Sequence, residues 1–153
     1  MKEFDVELES IDETIIYGIW MKSNDKTISK DIQKLSKEYY EVVSKNQGEV
    51  LPFYVLTTNY KEKTGDFQML IGGNMERDDL EHYKLKQGKY AKITVKPKLG
   101  FLWGTAIGEA KKFFYKKWIP ESGYKPLNVE YEFHTEKSLE KSPTVDLIFG
   151  ISE

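Results

Sequence analysis

Leu70-Ile71-Gly72-Gly73 returns 77 residues later as Leu147-Ile148-Phe149-Gly150, and this echo is the first sign of a chain written twice. Tyr39-Tyr40 likewise precedes Phe113-Phe114 by 74 residues, and Pro52 precedes Pro126 by 74. Working outward from the first copy, Phe53 to Tyr60 and Phe67 to Gly72 are β-rich runs joined by Lys61-Glu62-Lys63-Thr64-Gly65-Asp66, which reads as a hairpin turning at Gly65. Upstream, Ile28, Ile32, Leu35, Tyr39, Val42 and Val43 fall three and four apart, predicting an amphipathic helix over 27–45 that Gly48 closes. Before it, Phe4 to Ile11 and Thr14 to Met21 read as strands.

The second copy has the same order. Arg77 to Gly88 reads as polar connection, and Lys89 to Lys96 alternates as a strand until Pro97. Trp103, Ala106, Ile107, Ala110, Phe113, Phe114 and Trp118 predict a second helix, with Pro120 and Gly123 as stop signals. Val129 to Thr135 and Thr144 to Ile151 then predict another hairpin. The expectation is one α+β domain over 1–153, a duplicated β-α-β-β unit with pseudo-repeats at about 1–76 and 77–153. Each half has one helix to cover one sheet face, so the remaining faces must pair with each other or with a ligand.

Composition narrows the function. The chain has 153 residues, 39% hydrophobic and 31% charged, enough for one buried core. A net charge of −2 gives no basic excess, so no direct nucleic-acid binding is expected. The absence of cysteine excludes disulfides, thiolate catalysis and Cys-ligated metals, and suits the cytoplasm. No signal peptide and no membrane span is read. Two histidines, His82 and His134, are too few for a metal site without carboxylates at ligand spacing, so neither metal nor cofactor is expected. No serine sits in a Gly-x-Ser-x-Gly elbow, and Leu70-Ile71-Gly72-Gly73 lacks the lysine of a phosphate loop.

Several phrases carry a family resemblance. The most specific is Trp118-Ile119-Pro120-Glu121-Ser122-Gly123-Tyr124. Pro52-Phe53-Tyr54-Val55 with Tyr60, the turn Gly65-Asp66-Phe67, Gly72-Gly73 and Gly88-Lys89-Tyr90 stand in the same order, and Glu132 falls where a glutamate is usual. Together they resemble the GyrI-like family of small-molecule-binding proteins, which shares its fold with AraC-type effector-binding domains of multidrug-responsive transcription activators. The resemblance spans nearly the whole chain. It implies a curved, largely antiparallel sheet with two helices outside and a central cleft. His134 departs from it, standing where a tyrosine is common, and so bears on ligand choice; the last strand, Gly150-Ile151-Ser152, lacks the usual proline. The chain starts within a few residues of its first strand, so no helix-turn-helix is expected ahead of it and it is not expected to be a complete activator.

The strand at Val129 to His134 concentrates the chemistry. Alternation puts Val129, Tyr131 and Phe133 on one face, expected under the helix, and Glu130, Glu132 and His134 on the other, expected to look into the cleft. A carboxylate among aromatic rings is desolvated and needs a cation or a proton. The resemblance singles out Glu132, and a lipophilic cation would pair with it and stack on rings worth about 0.5–2 kcal/mol each. Glu130 is expected to be a solvated acid. Asp146, on the neighbouring strand, is a candidate second acid able to share a proton with Glu132. Trp20, Trp103, Tyr54, Tyr60 and Tyr90 are candidate walls, whereas Trp118 and Phe114 are assigned to helix packing.

The function expected is therefore binding of an amphipathic, cationic or drug-like small molecule for sensing or sequestration. One rival, implied by the same resemblance, is a hydrolase of cyclopropanoid electrophiles with Glu132 activating a water. Another is a protein partner, DNA gyrase, from the family's namesake; a separate DNA-binding regulator is a further possible partner.

Overall fold

The computed structural model describes residues 1–46, 49–97 and 103–153, so Gly48, expected to close the first helix, lies outside the described residues. The alternating runs form β1 (Glu7–Ile11), β2 (Thr14–Asn24), β3 (Phe53–Thr58), β4 (Asp66–Gly73), β5 (Glu81–Leu85), β6 (Gly88–Val95), β7 (Lys125–His134) and β8 (Val145–Ser152). The residues at helical spacing form α1 (Ile28–Val43) and α2 (Trp103–Phe113), the latter continued by a π-helical turn, Phe114–Trp118, and a short α3 (Ile119–Ser122). Pro120 does not stop the helix. It sits in the first turn of α3, where its missing N–H costs little, and the chain leaves at Gly123, whose φ is +80°.

All eight strands join one antiparallel sheet in the order β1-β6-β8-β7-β3-β4-β2-β5. Exchanging β1–β4 for β5–β8 returns the same order read backwards, so a pseudo-twofold passes between β3 and β7. Each half lends its first strand to the other: β1 pairs with β6, and β5 with β2. The strand β5 corrects the reading of 77–88 as mostly connection. It is short, polar and at the sheet edge, and only Tyr83 and Leu85 pack inward, too little alternation to stand out in sequence.

The echo at 70–73 and 147–150 is out of phase by one residue. Ile71 packs toward α1 and Leu147 toward α2, while Leu70 and Ile148 point to the opposite face. A slip of one residue turns every side chain over, so the shared letters do not mark equivalent positions even though the strand order is symmetric.

Three cores result. Leu35, Tyr39 and Val43 of α1 pack on Phe53, Val55, Met69 and Ile71. Ala106, Ala110 and Phe113 of α2 pack on Ile93, Val95, Leu147 and Phe149, with Phe114 stacked 3.9 Å from Phe149. On the helix-free face the curled sheet buries Ile16, Tyr54, Leu56, Leu70, Tyr90 and Tyr131 against one another. Burying each such side chain contributes about 1.5–3 kcal/mol. The strand pair Gly18–Gly72 lets β2 and β4 approach closely: a Cβ at Gly18 would lie 2.1 Å from the Ile71 carbonyl oxygen, and one at Gly72 2.0 Å from that of Tyr17. Both helices share one face, α1 over β2 and β4 and α2 over β6, so the middle of the sheet is left open between them.

Candidate functional site

That opening is a cavity of about 1140 Å³. Ile28, Ile32 and Tyr40 of α1 form one wall, and Trp103, Ile107 and Lys111 of α2 the other. Phe53 and Val55 of β3 and Glu132 and His134 of β7 make the floor, with Ser138 and Leu139 at the rim. The wall of α2 is kept low by Gly104 and Gly108: a methyl at Gly108 would meet nothing within 4 Å.

The register of β3 with β7 explains why polar groups stand here. Phe53 pairs with His134 and Val55 with Glu132, and directly opposed residues share a face. Phe53 and Val55 belong to the core under α1, so Glu130, Glu132 and His134 lie on the helix side. Val129, Tyr131 and Phe133 therefore do not lie under a helix, as the sequence suggested, but join the helix-free core. The strand β7 lies inside the sheet, between β8 and β3.

Glu132 is 8% exposed, the one carboxylate among the buried polar residues described. Its Oε1 lies 3.0 Å from His134 Nε2, and Oε2 takes no hydrogen bond among the described residues. His134 Nδ1 lies 3.3 Å from Ser138 Oγ, which donates to the Thr144 carbonyl at 2.8 Å. The His134 ring is enclosed by Phe53, 6.0 Å away, and by Trp103, edge-on at 6.2 Å; Tyr40 stacks on Phe53 at 5.4 Å.

Glu130 is not a solvated acid. Tyr115 donates to its Oε1 at 2.7 Å, and the Lys111 ammonium lies 3.0 Å from its Oε2. Burial alone would depress the pKa of Lys111, but the Glu130 and Glu132 carboxylates and the hydrogen bond to Glu130 outweigh it and hold that pKa above the ordinary lysine value. Burial, reinforced by the adjacent Glu130, pushes the Tyr115 phenol up.

Of the candidate residues, Glu132, His134 and Trp103 come together at the cavity. The others are placed elsewhere. Tyr54 packs between Tyr131 and Phe133 on the helix-free face, and burial raises its pKa. Tyr90 donates to the Lys86 carbonyl at 2.6 Å. Trp20 meets Tyr83 edge-on and borders a separate hollow of about 380 Å³. Asp146 accepts from Thr94 at 2.8 Å and pairs across from Phe133, so its carboxylate is on the face opposite Glu132. Tyr60 donates to the Asp25 carboxylate, a bond that pushes its pKa up to about 12. Sequence reasoning missed Tyr40, Phe53 and Lys111. Tyr40 stands one residue off the buried stripe of α1, which places it on the flank facing the cavity, whereas a single lysine carries no such signal.

Residues 7–151 match the Cass2 family, described as integron-associated effector binding protein. The chain belongs to this family. No curated protein sequence matches it. Among solved structures, the Cass2 integron cassette protein from the mobile metagenome of Vibrio cholerae is 14% identical with a TM-score of 0.69, over 96% of this chain and 95% of that one. SAV2435, solved bound to tetraphenylphosphonium, is 10% identical with a TM-score of 0.70, over 97% and 94%. The EcmrR C-terminal domain is 17% identical with a TM-score of 0.60, over 98% of each chain. At these identities the likeness shows the fold, the effector-binding fold of the GyrI-like proteins. Membership of this effector-binding family makes the chain a small-molecule-binding domain. Among its described residues no helix is long and apolar enough to cross a membrane, and no group of three His, Asp or Glu is placed to hold a metal ion.

Proposed function

We propose that the protein binds an amphipathic, cationic small molecule in the cleft between α1 and α2, sensing or sequestering it, with Glu132 as the charge anchor. The observation that carries this reading is a buried carboxylate with one oxygen free of hydrogen bonds among the described residues, at the floor of a cavity of about 1140 Å³. A buried charge without a full partner is costly, and a lipophilic cation removes that cost, with the aromatic side chains of Trp103, Tyr40 and Phe53 lining the cavity around it. The Glu130 carboxylate is already matched and adds no competing anchor. That SAV2435, of the same fold, was solved with a lipophilic cation is support from a relative.

Titration calorimetry with tetraphenylphosphonium tests this directly. Glu132→Gln should weaken binding by about 2–5 kcal/mol, the usual effect of truncating one partner of a buried charge pair. Equal affinity in the two proteins would remove Glu132 as anchor.

A further inference from the structure

We propose that His134 sets the charge selectivity of the cleft: it is the resident counter-cation of Glu132, and a cationic ligand binds by expelling its proton to solvent. The proposal rests on the reading of Glu132 as anchor and adds the control of that site.

The directions of the hydrogen bonds carry it. An ionised carboxylate only accepts, so the His134 Nε2 that faces Glu132 Oε1 at 3.0 Å bears a hydrogen. Ser138 has a single hydroxyl hydrogen and directs it to the Thr144 carbonyl at 2.8 Å, so toward Nδ1 it offers a lone pair. Both ring nitrogens thus face acceptors, the arrangement that suits an imidazolium.

Among the described residues, the other charges do not take over this role. On α2, Lys111 is matched by Glu130 of β7 at 3.0 Å. From α1 the cavity receives Lys37 and Glu41, one of each sign, with Asp25 just before the helix and Lys45 just after it. From β3 come only Phe53 and Val55. With His134 charged, the floor is therefore neutral pair by pair among the described residues. With His134 neutral, Glu132 keeps only the attraction of Lys111, which is already paired with Glu130, and a ligand cation is held more strongly.

Histidines change charge between about pH 5 and 8. Below that window each bound cation must displace one proton, so cation affinity climbs as pH rises and levels off above it. A neutral ligand displaces no proton and lacks this slope.

The test uses the full chain and tetraphenylphosphonium, whose charge does not titrate. Between about pH 5.5 and about pH 8.5 the wild-type affinity should rise at least about tenfold, the change produced by one linked proton per pH unit. His134→Gln should bind with nearly the same affinity at both values and, at the acid one, more tightly than wild type. An NMR titration of the wild-type protein gives a second readout that needs no variant. Saturating tetraphenylphosphonium should move the His134 midpoint to lower pH, while His82, ring to ring with Tyr17 at the β5 edge, should not move. Binding of equal strength at both pH values, or a His134 midpoint that ignores the ligand, would overturn this inference and leave the cation site standing. No binding at either pH would overturn the cation site and this inference with it.

Discussion

Glu130 and Glu132 stand two residues apart on the same face of β7 and have been given opposite surroundings. Glu130 has both oxygens engaged, one by the Tyr115 hydroxyl and one by the Lys111 ammonium. Among the described residues Glu132 has one hydrogen-bonding contact, from His134, and its other oxygen takes none beside the cavity. The difference separates structure from function within a few ångströms: the first acid ties the end of α2 to the sheet, and the second is left to a ligand.

The largest effect that could break this comparison is on stability. Lys111→Met strands the Glu130 charge in a site where its side chain is only 15% exposed. Removing one partner of a buried pair costs about 3–5 kcal/mol, and urea denaturation should show a loss of that order. Glu132→Gln, which impairs binding, should leave the same curve nearly unmoved or shifted toward greater stability, because it removes a charge the fold does not fully match. If the two variants lose equal stability, the division between a structural and a functional acid is wrong.

Tyr115→Phe probes the same clamp more gently. It removes one hydrogen bond to a charged acceptor and leaves the ring on Phe114 and Phe149 in place. A loss of about 1.5–3 kcal/mol is expected on denaturation, with affinity for tetraphenylphosphonium unchanged. The π-helical turn at Phe114–Trp118 is what presents Tyr115 to β7 from just beyond α2, in keeping with the frequent use of such turns at functional places.

How much of this could be read in the sequence differs by level. The helices were legible because Leu35, Tyr39 and Val43, and Ala106, Ala110 and Phe113, repeat at helical spacing and are buried on that account. That Glu132 and His134 share a face of β7 was legible from alternation, and Trp103, named as a candidate wall for its ring, lies with them at the cavity. The facing of β7 was not legible. Alternation says that Val129, Tyr131 and Phe133 share a face, but it cannot say that the curled sheet, rather than a helix, covers them. Tyr54, Tyr90 and Trp20 went to the wrong side of the sheet in the reading for the same reason. Lys111 was invisible because a polar residue on an amphipathic helix looks solvated until the opposite strand supplies its carboxylate.

The smallest effect tests the shape of the cleft rather than its charge. Gly104 and Gly108 lie one turn apart on the wall of α2, and an added methyl at Gly108 meets open space. Glycine within a helix costs about 1 kcal/mol relative to alanine, so packing alone gives α2 no reason to keep it. Gly108→Ala should therefore raise stability by about 0.5–1 kcal/mol, read as a higher midpoint in urea. A larger side chain at the same place, in Gly108→Leu, should reach into the cavity and weaken tetraphenylphosphonium binding while the protein stays folded. If Gly108→Leu bound the cation as tightly as wild type, the ligand would have to lie elsewhere than between the helices, and the open oxygen of Glu132 would have no ligand to meet there.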